Sequence, residues 1–271
     1  MDVKSKVHVS IPFDMLIESY LDAFIENRVN PEISFNSKSL DNYSKKDYEH
    51  VAKSLHSHGL SITLHAPYMD LCPGSPDPKV KEVAKFRFIQ VLDLVPIFKA
   101  SSVVFHTGFD EKKYYEVRNI WLENSLQIWK FMAEGLEKFN SKLMLENVFE
   151  KRPEDMLYVI RELDSFKNVK LCFDAAHAHV FSILPLQRWA KTLSPYIGEL
   201  HLHNNSGNWD EHRGVNNGLI DFEELLNIIS KETDKMPVIT LEVHNDEEFW
   251  SSLEYLEKVW PWKEEEKSHE L

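Results

Sequence analysis

The sequence predicts a single (β/α)8 TIM barrel over residues 1–262, followed by a charged C-terminal tail, 263–271, expected to be disordered. Three observations predict it. Eight short β-rich runs alternate with longer segments of helical periodicity from one end of the chain to the other, the pattern of βα units around a parallel sheet. The strand interiors are nearly continuous apolar runs, as strands covered on both faces require. No Pro/Gly/Ser linker or break in composition divides the 271 residues, a length that α/β barrels fill as one domain.

In chain order, strands are expected over residues 6–12, 31–35, 61–67, 102–108, 142–148, 169–175, 197–204 and 237–244. Ser-Val-Val-Phe at 102–105 and Leu-Met-Leu at 143–145 show the apolar interior most plainly. Between the strands, segments 15–27, 79–99, 114–139, 154–163 and 222–231 carry apolar residues at spacings of three and four, which gathers them on one buried helix face.

Composition narrows the function. With 31 Lys+Arg against 44 Asp+Glu, the formal charge is −13, which provides no electrostatic footprint for nonspecific nucleic-acid binding. No stretch approaches the roughly 20 apolar residues that span a bilayer, and Met1 to Lys6 lack the apolar run of a signal peptide. A cytoplasmic protein without a membrane partner is therefore expected. Cys72 and Cys172 read as two unpaired, reduced thiols. Glycine is scarce, and neither GxGxxG nor GxxxxGK[ST] occurs, which removes the usual signals of dinucleotide and P-loop sites. Histidine, at 13 residues, is the oddity.

In a βα barrel the chemistry projects from the C-terminal ends of the strands. Here those ends are metal-ligand types: His65 on the third strand, His106 on the fourth, Glu146 with Asn147 on the fifth, Asp174 and His177 on the sixth, His201 and His203 on the seventh, Glu242 on the eighth. The loop after the seventh strand adds Asp210-x-His212, which beside His177 completes a separate His-Asp-His group. Glu146, Asp174, Asp210 and Glu242 brought to one partly dry mouth repel each other unless cations lie between them. Imidazole and carboxylate together suit zinc, manganese or iron better than calcium or magnesium. Of the pair His201 and His203, the second imidazole is expected to point to the opposite side of the strand if the segment stays extended, so only one faces the metals, and His201 is assigned that role. His8, His179 and His244 are expected to be structural or to lie behind the ligands, and His50, His56, His58 and His269 to be solvated. Trp209, Trp260 and Trp262 read as local packing.

This set resembles the xylose isomerase-like TIM-barrel superfamily, in particular its endonuclease IV-like branch, also called AP endonuclease family 2, over nearly the whole chain from Val7-His8-Val9-Ser10 to Glu242. The resemblance implies up to three zinc ions: one on His65, His106 and Glu146, a second on Glu146, Asp174, His201 and Glu242, and a third on His177, Asp210 and His212, with Glu146 as the bridge. Tyr68 matches the position from which that branch inserts a tyrosine near an abasic site. The loop at 36–43 offers only Lys38 as a cation, which speaks for a small phosphorylated or sugar substrate rather than duplex DNA.

Two reactions fit. In phosphoester hydrolysis, three divalent cations against four carboxylates leave the mouth positive enough to draw a phosphate. In sugar or sugar-phosphate isomerisation or epimerisation, one ion on Glu146, Asp174, His201 and Glu242 polarises an open-chain sugar. There Glu146 and Glu242 act as catalytic acid and base, His177 and Arg213 orient the substrate, and Tyr68 and Asn147 complete its contacts. A non-catalytic barrel that binds metal or ligand is the third reading.

Overall fold

Successive strand residues point to opposite faces, so in a barrel alternate residues meet the helices or the axis. In the computed structural model, which describes residues 2–233 and 235–262, eight parallel strands close in sequence order into a TIM barrel. They are β1 (His8–Pro12), β2 (Asn30–Ser34), β3 (Thr63–His65), β4 (Ser102–His106), β5 (Lys142–Glu146), β6 (Val169–Asp174), β7 (Ile197–Leu202) and β8 (Val238–Leu241). Closure comes from β1 pairing with β8 through His8↔Thr240 and Val9↔Leu241. The third strand is shorter than its expected run, 61–67, and the expected ends at 108, 148 and 244 lie in loops leaving the mouth. The tail expected at 263–271 and His269 lie outside the described residues.

The outer ring is formed by α1 (Leu21–Asn27), α2 (Lys45–Ser57), α3 (Pro78–Phe98), α4 (Arg118–Glu137), α5 (Pro153–Ile160), α6 (Leu186–Leu193), α7 (Phe222–Glu232) and α8 (Asp246–Val259). Several starts are written locally. Asp77 accepts from Lys79 N ahead of Pro78, Asp221 from Glu224 N, and Asn245 from Glu248 N, each supplying a partner to an otherwise orphaned amide. The segment expected as one helix over 15–27 is helical throughout, starting at Phe13–Met15 and passing through a π-type turn, Leu16–Tyr20, into α1.

Outward strand residues such as Val103, Phe105, Leu143 and Leu145 join the main core, where the Phe105, Phe88 and Trp129 rings pack together. Inward residues form a small separate cluster, Val104, Met144 and Cys172. The period of two then fixes the next inward positions: His106, Glu146 and Asp174, two residues on, stand at the mouth. Glu199 is followed in the same way by His201, and Thr240 by Glu242. Among the described residues, no helix is long and apolar enough to cross a membrane.

Candidate metal centre

Glu146 is the hub. Its Oε2 lies 3.1 Å from both His65 Nε2 and His106 Nε2, and its Oε1 lies 3.2 Å from His177 Nδ1 and 3.5 Å from His201 Nδ1. His201 Nδ1 is also 3.3 Å from Glu242 Oε1. Asp210 Oδ2 stands 3.2 Å from His177 Nε2 and 3.1 Å from His212 Nε2. Among the described residues, five sets of donor atoms lie within 4.8 Å of one another, and three of them cover the mouth: His65–His106–Glu146, Glu146–Asp174–His201–Glu242, and His177–His203–Asp210–His212; His65–His201–Glu242 overlaps the first two, and Glu32–Glu199–His201 lies beneath them. All nine expected ligands come together, with Glu146 common to two sets.

Backbone carbonyls aim three of the rings. Nδ1 of His65, His177 and His212 lies 2.8, 2.9 and 3.0 Å from the carbonyl oxygens of Ala66, Asn147 and Glu242, so each can donate Nδ1–H and keep the Nε2 lone pair for the cluster. His212 reaches its place with φ of 51°, in the left-handed region, held by that carbonyl contact and by Asp210. Asp174 caps the short helix Ala175–Phe181, its Oδ1 accepting from His177 N at 2.7 Å.

The expectation that His203 points away is corrected. Residues 201 and 203 are two apart on one extended segment, and a period of two puts them on the same face. His203 is fully buried within the cluster, its Nε2 3.0 Å from Asp174 Oδ2. Its ring is stacked on His212, centroids 4.0 Å apart at 6°. A cation binds in the plane of an imidazole, and one ion cannot lie in two parallel planes. His203 therefore orients Asp174 while His212 faces the third group.

The donor chemistry fits divalent cations. Four carboxylates and six imidazoles crowd one mouth, and His201 Nδ1, His203 Nδ1 and Asp210 Oδ1 are buried without hydrogen-bond partners. Burial alone would raise the Glu146 carboxyl, but the imidazoles of His106 and His201 and hydrogen bonds from His106 and His177 hold it well below the usual carboxylate range. Burial would likewise lower His212, yet its hydrogen bond to Asp210 and the charges of Glu242 and Asp210 push it up to about 9. Metal ions loaded into such a site would displace bound protons.

The proposed substrate contacts divide. Tyr68 stacks on His106, centroids 4.4 Å apart at 16°, over the first donor set and open to the cleft. Asn147 is buried and spent on the backbone of Asp174, donating to its carbonyl at 2.8 Å and accepting from its amide at 3.0 Å. Arg213 donates to Glu211 at 2.6 Å, and its backbone pairs with Asn204 in an antiparallel bridge. The structure thus brings neither Asn147 nor Arg213 into the cleft; both brace the loops that carry ligands. His244 stacks on the other side of His212, at 4.6 Å, and His8 bonds Ser61 Oγ through Nε2 at 3.0 Å. His56, expected to be solvated, is half-buried with Nε2 2.9 Å from Phe98 O. Trp260 and Trp262 pack edge to face as expected, whereas Trp209 is 71% exposed at the cleft beside Asp210.

Outside the donor sets, burial raises the Glu150 carboxyl to about 7 against the opposing hydrogen bonds from Thr107 Oγ1 and Val148 N. Between the unfolded value of 4.5 and that figure, the folded state keeps a proton that the unfolded chain has released, so the contribution of Glu150 to stability declines as pH rises through this window and is constant above it. Glu150→Gln preserves the shape and removes the slope. Urea unfolding with excess chelator should show the variant gaining up to about 3 kcal/mol over wild type near pH 8, and nothing near pH 4. An equal slope in both proteins would refute the buried, protonated carboxyl.

His65, His106, Glu146, His177, Asp210, His212 and Glu242 line a cleft of about 1300 Å³, with Met15, Tyr68, Phe149, Trp209 and Trp250 also in its wall, while Asp174, His201 and His203 lie buried behind the lining. Among the described residues, Lys113 is the one Lys or Arg in its wall. In sequence, the chain is 27% identical over 223 residues to an uncharacterized protein of Methanocaldococcus jannaschii, covering 79% of this chain and 75% of that one. It is 24% identical over 192 residues to a probable endonuclease 4 of Ureaplasma urealyticum, covering 62% and 60%. In structure, it superposes on a Thermus thermophilus protein soaked with ZnCl2 with a TM-score of 0.78 and 22% identity, over 94% of this chain and 98% of that one. A D-tagatose 3-epimerase-like protein follows at 0.76 and 24%, over 94% and 96%; at these identities the likeness shows the fold alone. The model of the xylose isomerase-like TIM barrel matches residues 29–264, and with most of its length so matched, this chain belongs to that family.

Proposed function

We propose that the chain is a divalent-metal-dependent phosphoester hydrolase, similar in its donor sets to the endonuclease IV-like branch, acting on a small phosphorylated substrate. The observation that carries this reading is the third donor set. Asp210 and His212 have no task in a one-ion isomerase, which would use only His177 of this group, yet Asp210 Oδ2 sits within 3.2 Å of the imidazoles of both His177 and His212. Zinc, or alternatively manganese or iron, bound at these sets would lower the pKa of a coordinated water and neutralise charge developing on a phosphoester.

The chain's residues supply the rest. Glu146 spaces two donor sets, Asp174 and His203 hold the second, and the carbonyls of Ala66, Asn147 and Glu242 aim their rings before substrate arrives, so no reorganisation is needed in the transition state. Tyr68, Phe149, Trp209 and Trp250 present flat apolar surfaces around the floor, suited to a ring on the substrate. A wall with Lys113 as its cation does not suit duplex DNA, whose phosphates call for many.

Sugar epimerisation is the second reading, favoured by one observation: Glu146 and Glu242 flank His201 Nδ1 at 3.5 and 3.3 Å, where a single ion and an acid–base pair would act together. Elemental analysis of reconstituted protein, paired with turnover on panels of phosphomonoesters, phosphodiesters and ketoses, separates them. About three ions per chain and phosphoester cleavage are expected. One ion per chain with ketose turnover would replace the first reading by the second, and bound metal with no turnover on any panel would leave a binding barrel.

A further inference from the structure

Glu32 lies beneath the three donor sets of the mouth, in the group it forms with Glu199 and His201, and is fully buried in the barrel interior, paired in register with Thr63. A carboxylate this far from water costs several kcal/mol unless its oxygens are engaged. Oε2 accepts from Thr63 Oγ1 at 3.3 Å and Thr240 Oγ1 at 3.2 Å. Oε1 has no hydrogen-bond partner, nor has Nε2 of His201, itself fully buried; the two atoms lie 3.2 Å apart, within ion-pair distance.

The other side of the His201 ring looks up into the cluster, Nδ1 toward Glu242 and Glu146. A neutral imidazole has one N–H and one nitrogen lone pair, so Nδ1 can serve a cation only if Nε2 carries the proton. His65, His177 and His212 use the opposite arrangement, with Nδ1 against a backbone carbonyl. His201 turns Nε2 down instead, and a carboxylate waits there.

We infer that Glu32 is a positioning residue: it holds His201 as the Nε2–H tautomer and thereby commits Nδ1 to the cation shared with Glu146, Asp174 and Glu242. Glu199 steadies it from the side. The Thr240 hydroxyl lies 3.2 Å from an oxygen of each glutamate, and Ser102 Oγ donates to Glu199 at 3.0 Å. This inference rests on His201 being a ligand, as proposed above, and is indifferent to which reaction follows.

The test titrates zinc ion against metal-free wild type, Glu32→Gln and Glu32→Leu in the presence of a competing chelator. Nitrogen NMR of the His201 ring in zinc-loaded wild type accompanies it. Glu32→Leu should weaken one zinc ion by about 10- to 100-fold and leave the others unchanged, as loss of the group behind a ligating histidine does. Glu32→Gln, whose amide oxygen still accepts the N–H, should recover most of the affinity. In wild type the ring proton should be on Nε2. Unchanged zinc affinity in Glu32→Leu, or a proton on Nδ1 with Nε2 bound to zinc, would overturn the role; if Glu32→Leu fails to fold, the wild-type ring spectrum alone decides. Wild type that binds no zinc sinks the metal centre itself, a different and recognisable failure.

Discussion

Glu146→Gln should lose at least about a thousandfold in kcat/KM on a cleaved phosphoester, and should release two bound ions rather than one. The substitution keeps the volume of a side chain that is 1% exposed, so packing changes little. What changes is charge and donor sense. The carboxylate now meets four imidazoles from four different segments, His65, His106, His177 and His201. An amide brings no charge to bridge two cations, and its NH2 would compete for the lone pairs of His65 Nε2, His106 Nε2 and His201 Nδ1, which the cations would need. Elemental analysis and single-turnover rates read both effects, with a melting curve to show that the barrel persists. Full metal content with wild-type turnover would remove Glu146 as the bridge and with it the argument for multinuclear chemistry.

The candidate donors were legible in the sequence because a parallel barrel turns linear order into position: whatever ends an apolar run stands at the mouth. His65, His106, Glu146, Asp174, His201 and Glu242 obey that rule, and Asp210 and His212 follow from their spacing. His203 was legible too. The alternation that buries Glu199 and His201 inward carries His203 to the same side, and applying the period of two strictly would have placed it there. Glu32 left a fainter trace, an acid inside an apolar strand at Pro31-Glu32-Ile33, which a fully covered strand does not tolerate without inward partners. The roles of Asn147 and Arg213 were not legible. Whether an amide or a guanidinium faces substrate or braces a loop depends on partners distant in sequence, here the Asp174 backbone and the Asn204 bridge. Trp209 is likewise decided by the path of a loop, which carries no periodicity to read.

That loop leads to the second large effect. Asn204, just past β7, is 1% exposed and all four of its side-chain bonds are local to the segment that delivers Asp210 and His212. Nδ2 donates to Val215 O at 2.8 Å and Ile220 O at 3.2 Å, while Oδ1 accepts from Asn205 N at 2.9 Å and Ile220 N at 3.0 Å. Its backbone exchanges two further bonds with Arg213, at 2.9 and 3.0 Å, directly beside His212. In Asn204→Ala these buried groups lose their partners at roughly 1–3 kcal/mol each before relaxation, and relaxation means moving the loop. His212, held at positive φ by its neighbours, has an unfavourable backbone to give up first. We expect a loss of about 3 kcal/mol in stability and of one ion per chain, with the ions on Glu146 retained. Gly218→Ala approaches the same hub from outside, because a methyl group there would overlap the Asn204 carboxamide. If either variant unfolds, metal content measured on the folded fraction of the other still reports on the loop. Retention of every ion by both variants, despite the lost stability, would show that Asp210 and His212 hold their places without Asn204, and that the third donor set is anchored by its own contacts to His177 and Glu242.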